Sequence, residues 1–347
     1  MEETGGKGNQ SVWGSRRLMA IHTVCLLPRL DLTAANAVSG PMSWGFPAPT
    51  AFTGFAHALQ LQLKDWIQEG VAGVGIVCHR FDPQISQPSG SRTFVFCLNR
   101  HPVGKDGKPP SIVEEGKANL EISLVIALKD DIDTDDKDDF LEALMNTVAR
   151  MRIAGGSIRL PENSWRNRPE LLHWADDLKT QKEQFRTVSR KLLPGFALVL
   201  RNDRMQQTLG VLKQQDDSAS ALDAVLEHGR MRFFAERVVD PKDESQDKAN
   251  WSVKRKQGWT VPLPVGYASI SELYDPGVVR NVRDKTVPFQ FVESLYSIGE
   301  WLGPHRIDRL EQLLWTHQHD AEKGLYLCQN DYERYLAAES IESTVSE

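Results

Sequence analysis

Long hydrophobic runs are missing from this chain of 347 residues: none approaches the ~18 apolar positions of a bilayer-spanning helix. The N-terminus shows no apolar core of a secretory signal, so neither membrane nor export is expected. Cysteine is scarce. Cys25, Cys78, Cys97 and Cys328 lie far apart and form no Cys-x-x-Cys pair. Three sit in strand-like apolar runs, which predicts buried free thiols in a reducing cytoplasm and argues against a structural zinc. Gly70, Gly73 and Gly75 are not a dinucleotide loop, because they precede a strand that such a loop would follow. Net positive charge is missing too, the formal charge being −6 at pH 7. That deficit is local: Asp130 to Asp139 holds seven Asp and one Lys and accounts for all of it. The run lacks the Gly and closing Glu of a calcium loop and reads as a solvated acidic segment. The rest of the chain is neutral on this count, so its basic clusters can act locally.

What is present reads as a globular protein, with 40% apolar and 25% charged residues. Residues Met1 to Leu18 are polar and unpatterned and predict a disordered tail. From Ile21 the order is strand, helix, strand, strand, strand, helix. Val24 to Leu30 is the first strand. Phe52, Phe55, Ala56, Leu59, Leu63, Trp66 and Ile67 then mark one face of a helix over 50–68, with Thr50 as N-cap. Val71 to Arg80 and Arg92 to Leu98 read as paired strands, and Leu120 to Leu128 as another. A helix over 138–152 follows, closed by Arg150 and Arg152 and stopped by Gly155 and Gly156. With one added strand this is the βαββαβ order of an α+β, ferredoxin-like or RNA-recognition-motif-like core over 19–160. Residues 161–256 predict a mainly helical insertion, with Pro194 to Leu200 as a candidate core strand. Residues 257–347 would complete the core, with an amphipathic helix at Pro304 to His317.

Several clusters have chemistry to offer. The loop between the first strand and helix carries Ser43 and Trp44 and is stiffened by Pro41, Pro47 and Pro49, a low-entropy contact surface. Trp44 is either a core anchor or a stacking platform, with Phe46 and Phe52 better spaced to fill the core. His79 and Arg80 stand at a strand end, where a ring stacks on a base or a donor meets phosphate. Arg152, Gly155, Gly156 and Ser157 are either a phosphate-binding nest or a helix C-cap. Arg280, Asn281 and Arg283 lie in a Pro-flanked loop, and Lys254 to Lys256 lie between Trp251 and Trp259. Basic groups near aromatics suit single-stranded nucleic acid, the reading taken for Arg280 and Arg283, whereas the Lys254 cluster reads as solvated surface beside core tryptophans. His57, by contrast, reads as a packed histidine. His317 and His319 are two apart and point to different sides of a helix, so no metal site, cofactor or catalytic constellation is expected.

Trp44, Gly45, Phe46, Pro47, Pro49, Ala51, Phe52 and Gly54 form a pattern that resembles the opening of the Cas-five family of CRISPR surveillance-complex subunits. Seven further blocks, in the same order, are similar to its type I-F branch: 73–96, 112–124, 152–158, 191–199, 258–267, 276–284 and 299–306. The resemblance implies a RAMP-superfamily core and a non-catalytic subunit that holds the five-prime handle of a crRNA. It implies as partners the large subunit (Cas-eight f-type) and a backbone subunit (Cas-seven f-type), with target DNA met through the complex. It also favours RNA at 152–157. The alternative is a metal-independent CRISPR RNA-processing endoribonuclease; a third reading is a protein scaffold without nucleic-acid contact.

Overall fold

The structure, a computed structural model, describes residues 20–161, 164, 167–238, 248–253 and 258–336. The expected tail at 1–18 and the cluster Lys254 to Lys256 lie outside the described residues. The first half runs β1 (Thr23–Asn36), α1 (Pro49–Gln62), β2 (Val71–Pro83), the short strands β3 (Ile85–Ser86), β4 (Val95–Phe96), β5 (Leu98–Arg100) and β6 (Ile112–Glu114), then β7 (Lys117–Leu128), α2 (Lys137–Val148), β8 (Arg152–Ile153) and β9 (Gly156–Arg159). The middle holds β10 (Glu170–His173), α3 (Leu178–Lys191), β11 (Phe196–Leu200), α4 (Asn202–Gln215), α5 (Ala221–Gly229), β12 (Phe233–Val238) and β13 (Lys248–Val253). The chain then forms β14 (Thr260–Ser269), β15 (Val292–Leu302), a 3₁₀ turn at Pro304–Arg306, α6 (Leu310–Leu313), β16 (Leu314–Asp320) and β17 (Leu325–Asn330).

β2, β7, β1 and β9 are neighbours in that order, all antiparallel. β16 pairs with β2, so the C-terminal strands extend the same sheet. β11 pairs with both β15 and β2, which closes the path β11-β15-β14-β17-β16-β2 into a ring. Across it the Trp315 Nε1–H donates to Leu198 O at 2.7 Å.

Several local expectations change. β2 pairs with β7, whereas residues 92–98 contribute β4, which pairs with β3 in a ribbon off the main sheet. Pro49 opens α1 behind Ala48, so Thr50 is inside the helix rather than capping it. α2 ends at Val148 and Arg152 already begins β8, so the arginines do not close the helix. Residues 304–317 are not one helix. Ile307, Leu310 and Leu313 are buried on short turns, and Leu314 onward is drawn into the sheet by β2 and β17. Among its described residues the segment 161–256 holds three helices, but β10 and β11 join the main sheet and β12 pairs with β13.

The two faces of the sheet are covered differently. Cys25, Leu27, Leu30, Leu32 and Ala35 of β1 alternate onto the α1 and α2 side, against Phe52, Phe55, Leu59, Phe140 and Leu144. Val24 and Leu26 point the other way, under Trp174 and under Phe185, Val188 and Leu192 of the α3 segment. The acidic run is more than solvated: the Asp130 carboxylate accepts the backbone N–H groups of Gln68, Glu69 and Gly70 at 2.7, 2.9 and 3.0 Å. Ile132 is buried beside it.

Candidate nucleic-acid interface

The β1–α1 loop is tied down at several points. Ala37 N–H donates to Gly116 O at 2.8 Å and Gly45 N–H to Ala37 O at 2.7 Å. Gly40 and Ser43 exchange backbone bonds, and the Ser39 and Ser43 hydroxyls meet at 3.0 Å. Met42 N–H donates to the Tyr296 hydroxyl of β15 at 3.0 Å. From this scaffold Trp44 projects 60% exposed, edge-on to Phe96 with centroids 5.4 Å apart. Phe52 is fully buried; Phe46 stacks on it at 5.5 Å and meets Trp301 edge-on at 4.9 Å. Trp44 is therefore not a core residue. The aromatic series continues through Trp259 to Phe196, both largely exposed.

Arg152 to Ser157 forms a β-hairpin, neither helix cap nor open nest. Ala154 (φ 50°) and Gly155 (φ 74°) are the two left-handed residues of a tight turn between β8 and β9. Space around Gly155 is open, whereas a Cβ on Gly156 would sit 2.9 Å from Ala35 Cα, so Gly156 serves close packing. Arg152 is exposed and its Nη1 donates to Gly155 O at 3.3 Å. Asn36 N–H donates to Ala154 O at 2.8 Å. The end of β1 thus brings the Trp44 loop and this hairpin together.

His79 and Arg80 part company. His79 Nδ1 donates to Pro194 O at 2.6 Å and Nε2 accepts from Ser123 Oγ at 2.6 Å, leaving neither nitrogen for phosphate. Burial pushes its pKa down. Arg80 is exposed and lies 3.5 Å from Asp31, which also holds Arg159 at 2.8 Å. Arg29 pairs with Glu121 at 2.7 Å. Arg29 and Arg159 were not singled out from sequence. Their signal is the alternation Arg29, Asp31, Thr33 against Leu30 and Leu32, which sets polar groups on the half of the face beyond Val24 and Leu26.

Arg280, Asn281 and Arg283 are exposed on the long β14–β15 connection, with Asn281 at φ 61°. Neither arginine has an ion-pair partner among the described residues. The connection is pinned by Tyr274 pairing with Phe289 and by Phe289 against Phe291 at 5.0 Å. It extends from the β14–β15 hairpin whose Tyr296 also anchors the Trp44 loop.

One juxtaposition was not legible in the sequence. His57 of α1 and His317 of β16 have ring centroids 6.0 Å apart, and His317 stacks on Tyr326 at 5.6 Å. Helix residues and strand residues far apart in the chain meet here only because α1 packs across β16. Among the described residues no three His, Cys, Asp or Glu side chains are grouped as metal ligands would be. Cys25 and Cys328 are buried, Cys78 is half-buried with its thiol pushed up to about 12 by burial, and Cys97 is exposed. No described helix is long and apolar enough to cross a membrane.

The molecule is thus an α+β protein built on a large antiparallel sheet, with an exposed aromatic loop and exposed arginines beside it. A family model described as CRISPR-associated protein (Cas_Csy2) matches residues 25–328, and the chain belongs to that family. It is similar to the CRISPR-associated protein Csy2 of Pseudomonas aeruginosa (strain UCBPP-PA14). The two are 45% identical over 308 residues, covering 87% of this chain and 93% of that protein. The family resemblance of the sequence blocks is thereby borne out.

Proposed function

We propose that this chain is a non-catalytic RNA-binding and assembly subunit of a type I-F CRISPR surveillance complex. In this reading it holds the five-prime handle of the crRNA, pairs with the large subunit and abuts a backbone subunit. Foreign DNA is then selected by guide pairing. The observation that carries the reading is the meeting of the exposed Trp44 and the Arg152–Ser157 hairpin at one end of β1. A ring for stacking and cations for phosphate are the two components of single-strand recognition. We class the core as ferredoxin-like on the neighbour order β2-β7-β1-β9 with α1 and α2 on one face. Half of the other face is covered by the α3 segment, so the RNA is placed on loops and strand ends, not spread over the sheet. Purifying the tagged protein and sequencing its RNA tests this: homogeneous crRNA together with large and backbone subunits is expected, and recovery of the partners without RNA would overturn it.

The endoribonuclease reading draws on the His57, His317 and Tyr326 cluster. Against it, among the described residues no Lys or Arg lines the small cavity beside His57 and His317, so no fixed cation there stabilises a pentavalent phosphate. Precursor RNA incubated with the protein in chelator should stay intact; discrete cleavage abolished by His57→Ala would establish the enzyme.

A further inference from the structure

A concavity of about 390 Å³ lies between α3 and the segment from the 3₁₀ turn to Asp308, on the side of the sheet opposite α1. Lys182, Arg186 and Arg190 line it at i, i+4 and i+8, one side of α3, about 6 Å apart along the axis. His305 lines it from the turn, Leu193 and Ile307 are its apolar wall, and Asp308 is its acidic group. The three cations are exposed, and none has an ion-pair partner among the described residues. Lys191 on the same helix, by contrast, is bound to Glu170. Like charges at i, i+4 destabilise the helix that carries them unless an anion lies between them. Beyond Lys182 a smaller adjoining cavity is lined by Trp174, Lys182, Arg309 and the acidic Glu311. There Trp174 Nε1 and Arg309 Nε are buried donors with no acceptor among the described residues.

The lining decides the chemistry. Cations in a row call for a polyanion, and a wall without Phe, Tyr or Trp leaves bases only the His305 ring to stack on. Contacts confined to phosphate suit a paired helix, whose bases are turned inward. We infer that the α3 groove is a second nucleic-acid contact, gripping the phosphate backbone of a duplex without regard to sequence. It is distinct from the Trp44 interface and requires no handle RNA.

The test is fluorescence anisotropy of the full chain with a labelled random DNA duplex of ~20 base pairs between about 50 and 200 mM salt. Handle RNA is titrated in parallel. Lys182→Gln with Arg186→Gln and Arg190→Gln should weaken duplex binding about tenfold and make the logarithmic salt slope shallower by about 2 to 3. Handle affinity and melting temperature should stay the same. No duplex binding by the unaltered protein, or an unchanged affinity and slope in the triple variant, would overturn the inference. So would equal losses for duplex and handle RNA, since one site would then serve both. Polyglutamate binding the unaltered protein more tightly than the duplex does at matched charge would also overturn it, assigning the groove to an acidic protein surface.

Discussion

The two faces of the central sheet use the same strands to opposite ends. On one, β1 buries Cys25, Leu27, Leu30, Leu32 and Ala35 beneath α1 and α2, bulges between Leu27 and Leu30 and between Leu32 and Ala35 keeping the apolar side chains on that face. On the other, burial stops after Val24 and Leu26; Arg29, Asp31 and Thr33 follow, and Arg80 and Arg159 converge on Asp31. A face closed along its whole length can only stabilise. A face closed along half its length stabilises at one end and leaves charge available to solvent or ligand at the other. The exposed aromatic and basic groups of the candidate interface gather at the ends of strands, where the fold has least need of them.

Phe52→Ala strikes the closed face and should cost about 3–5 kcal/mol of stability, because the packed helix and sheet cannot collapse around the void. Arg159→Ala on the open half should stay within about 0.5 kcal/mol. Urea denaturation compares the two, and similar losses would erase the distinction between the faces. Trp44→Ala should cost about 1–3 kcal/mol in RNA affinity if the ring stacks on a base. Its melting temperature should hardly move; a large drop with intact RNA binding would make Trp44 structural. Arg280→Ala with Arg283→Ala should weaken handle binding less and lower the salt slope by about 1, at about 0.7 per single-strand phosphate. An unchanged slope removes that loop from the interface.

The smallest effect concerns His79, where the two roles of the second face meet. Burial lowers its pKa, so below about 6.5 the unfolded chain binds a proton that the folded chain resists. Its contribution to stability is present above about pH 6.5 and is lost as pH falls toward the lowered folded value. Melting temperatures from about pH 7.5 down to about 5.5 should fall more steeply in the unaltered protein than in His79→Gln. Parallel slopes would show that the ring is not held neutral between Pro194 and Ser123.

Much of the closed face was legible from periodicity. The stripe Phe52, Phe55, Ala56, Leu59, Leu63 and Ile67 is buried as its spacing predicts, and the apolar runs of β1, β2 and β7 are strands. Residues 304–317 misled for a definite reason. Their apolar spacing fits a helix, but backbone pairing offered by β2 and β17 captures Leu314 onward. Local preference yielded to a sheet edge that needed a partner. The interface was half legible: Trp44 stood apart because Phe46 and Phe52 are better spaced to fill the core, yet His79 could not be known to lie locked against Pro194, 115 positions away.

By itself the sequence determined which side chains are apolar and at what period, and hence the first helix, the main strands and the family. Those features depend on neighbours two to four residues apart or on direct similarity. Only the tertiary structure decided which strand ends meet, that Gly155 sits in a hairpin turn, that Asp130 fills the amide cradle at 68–70, and that Lys182, Arg186 and Arg190 face a concavity. Each of these rests on contacts between segments far apart in the chain, whose closure becomes favourable only when the whole sheet has assembled.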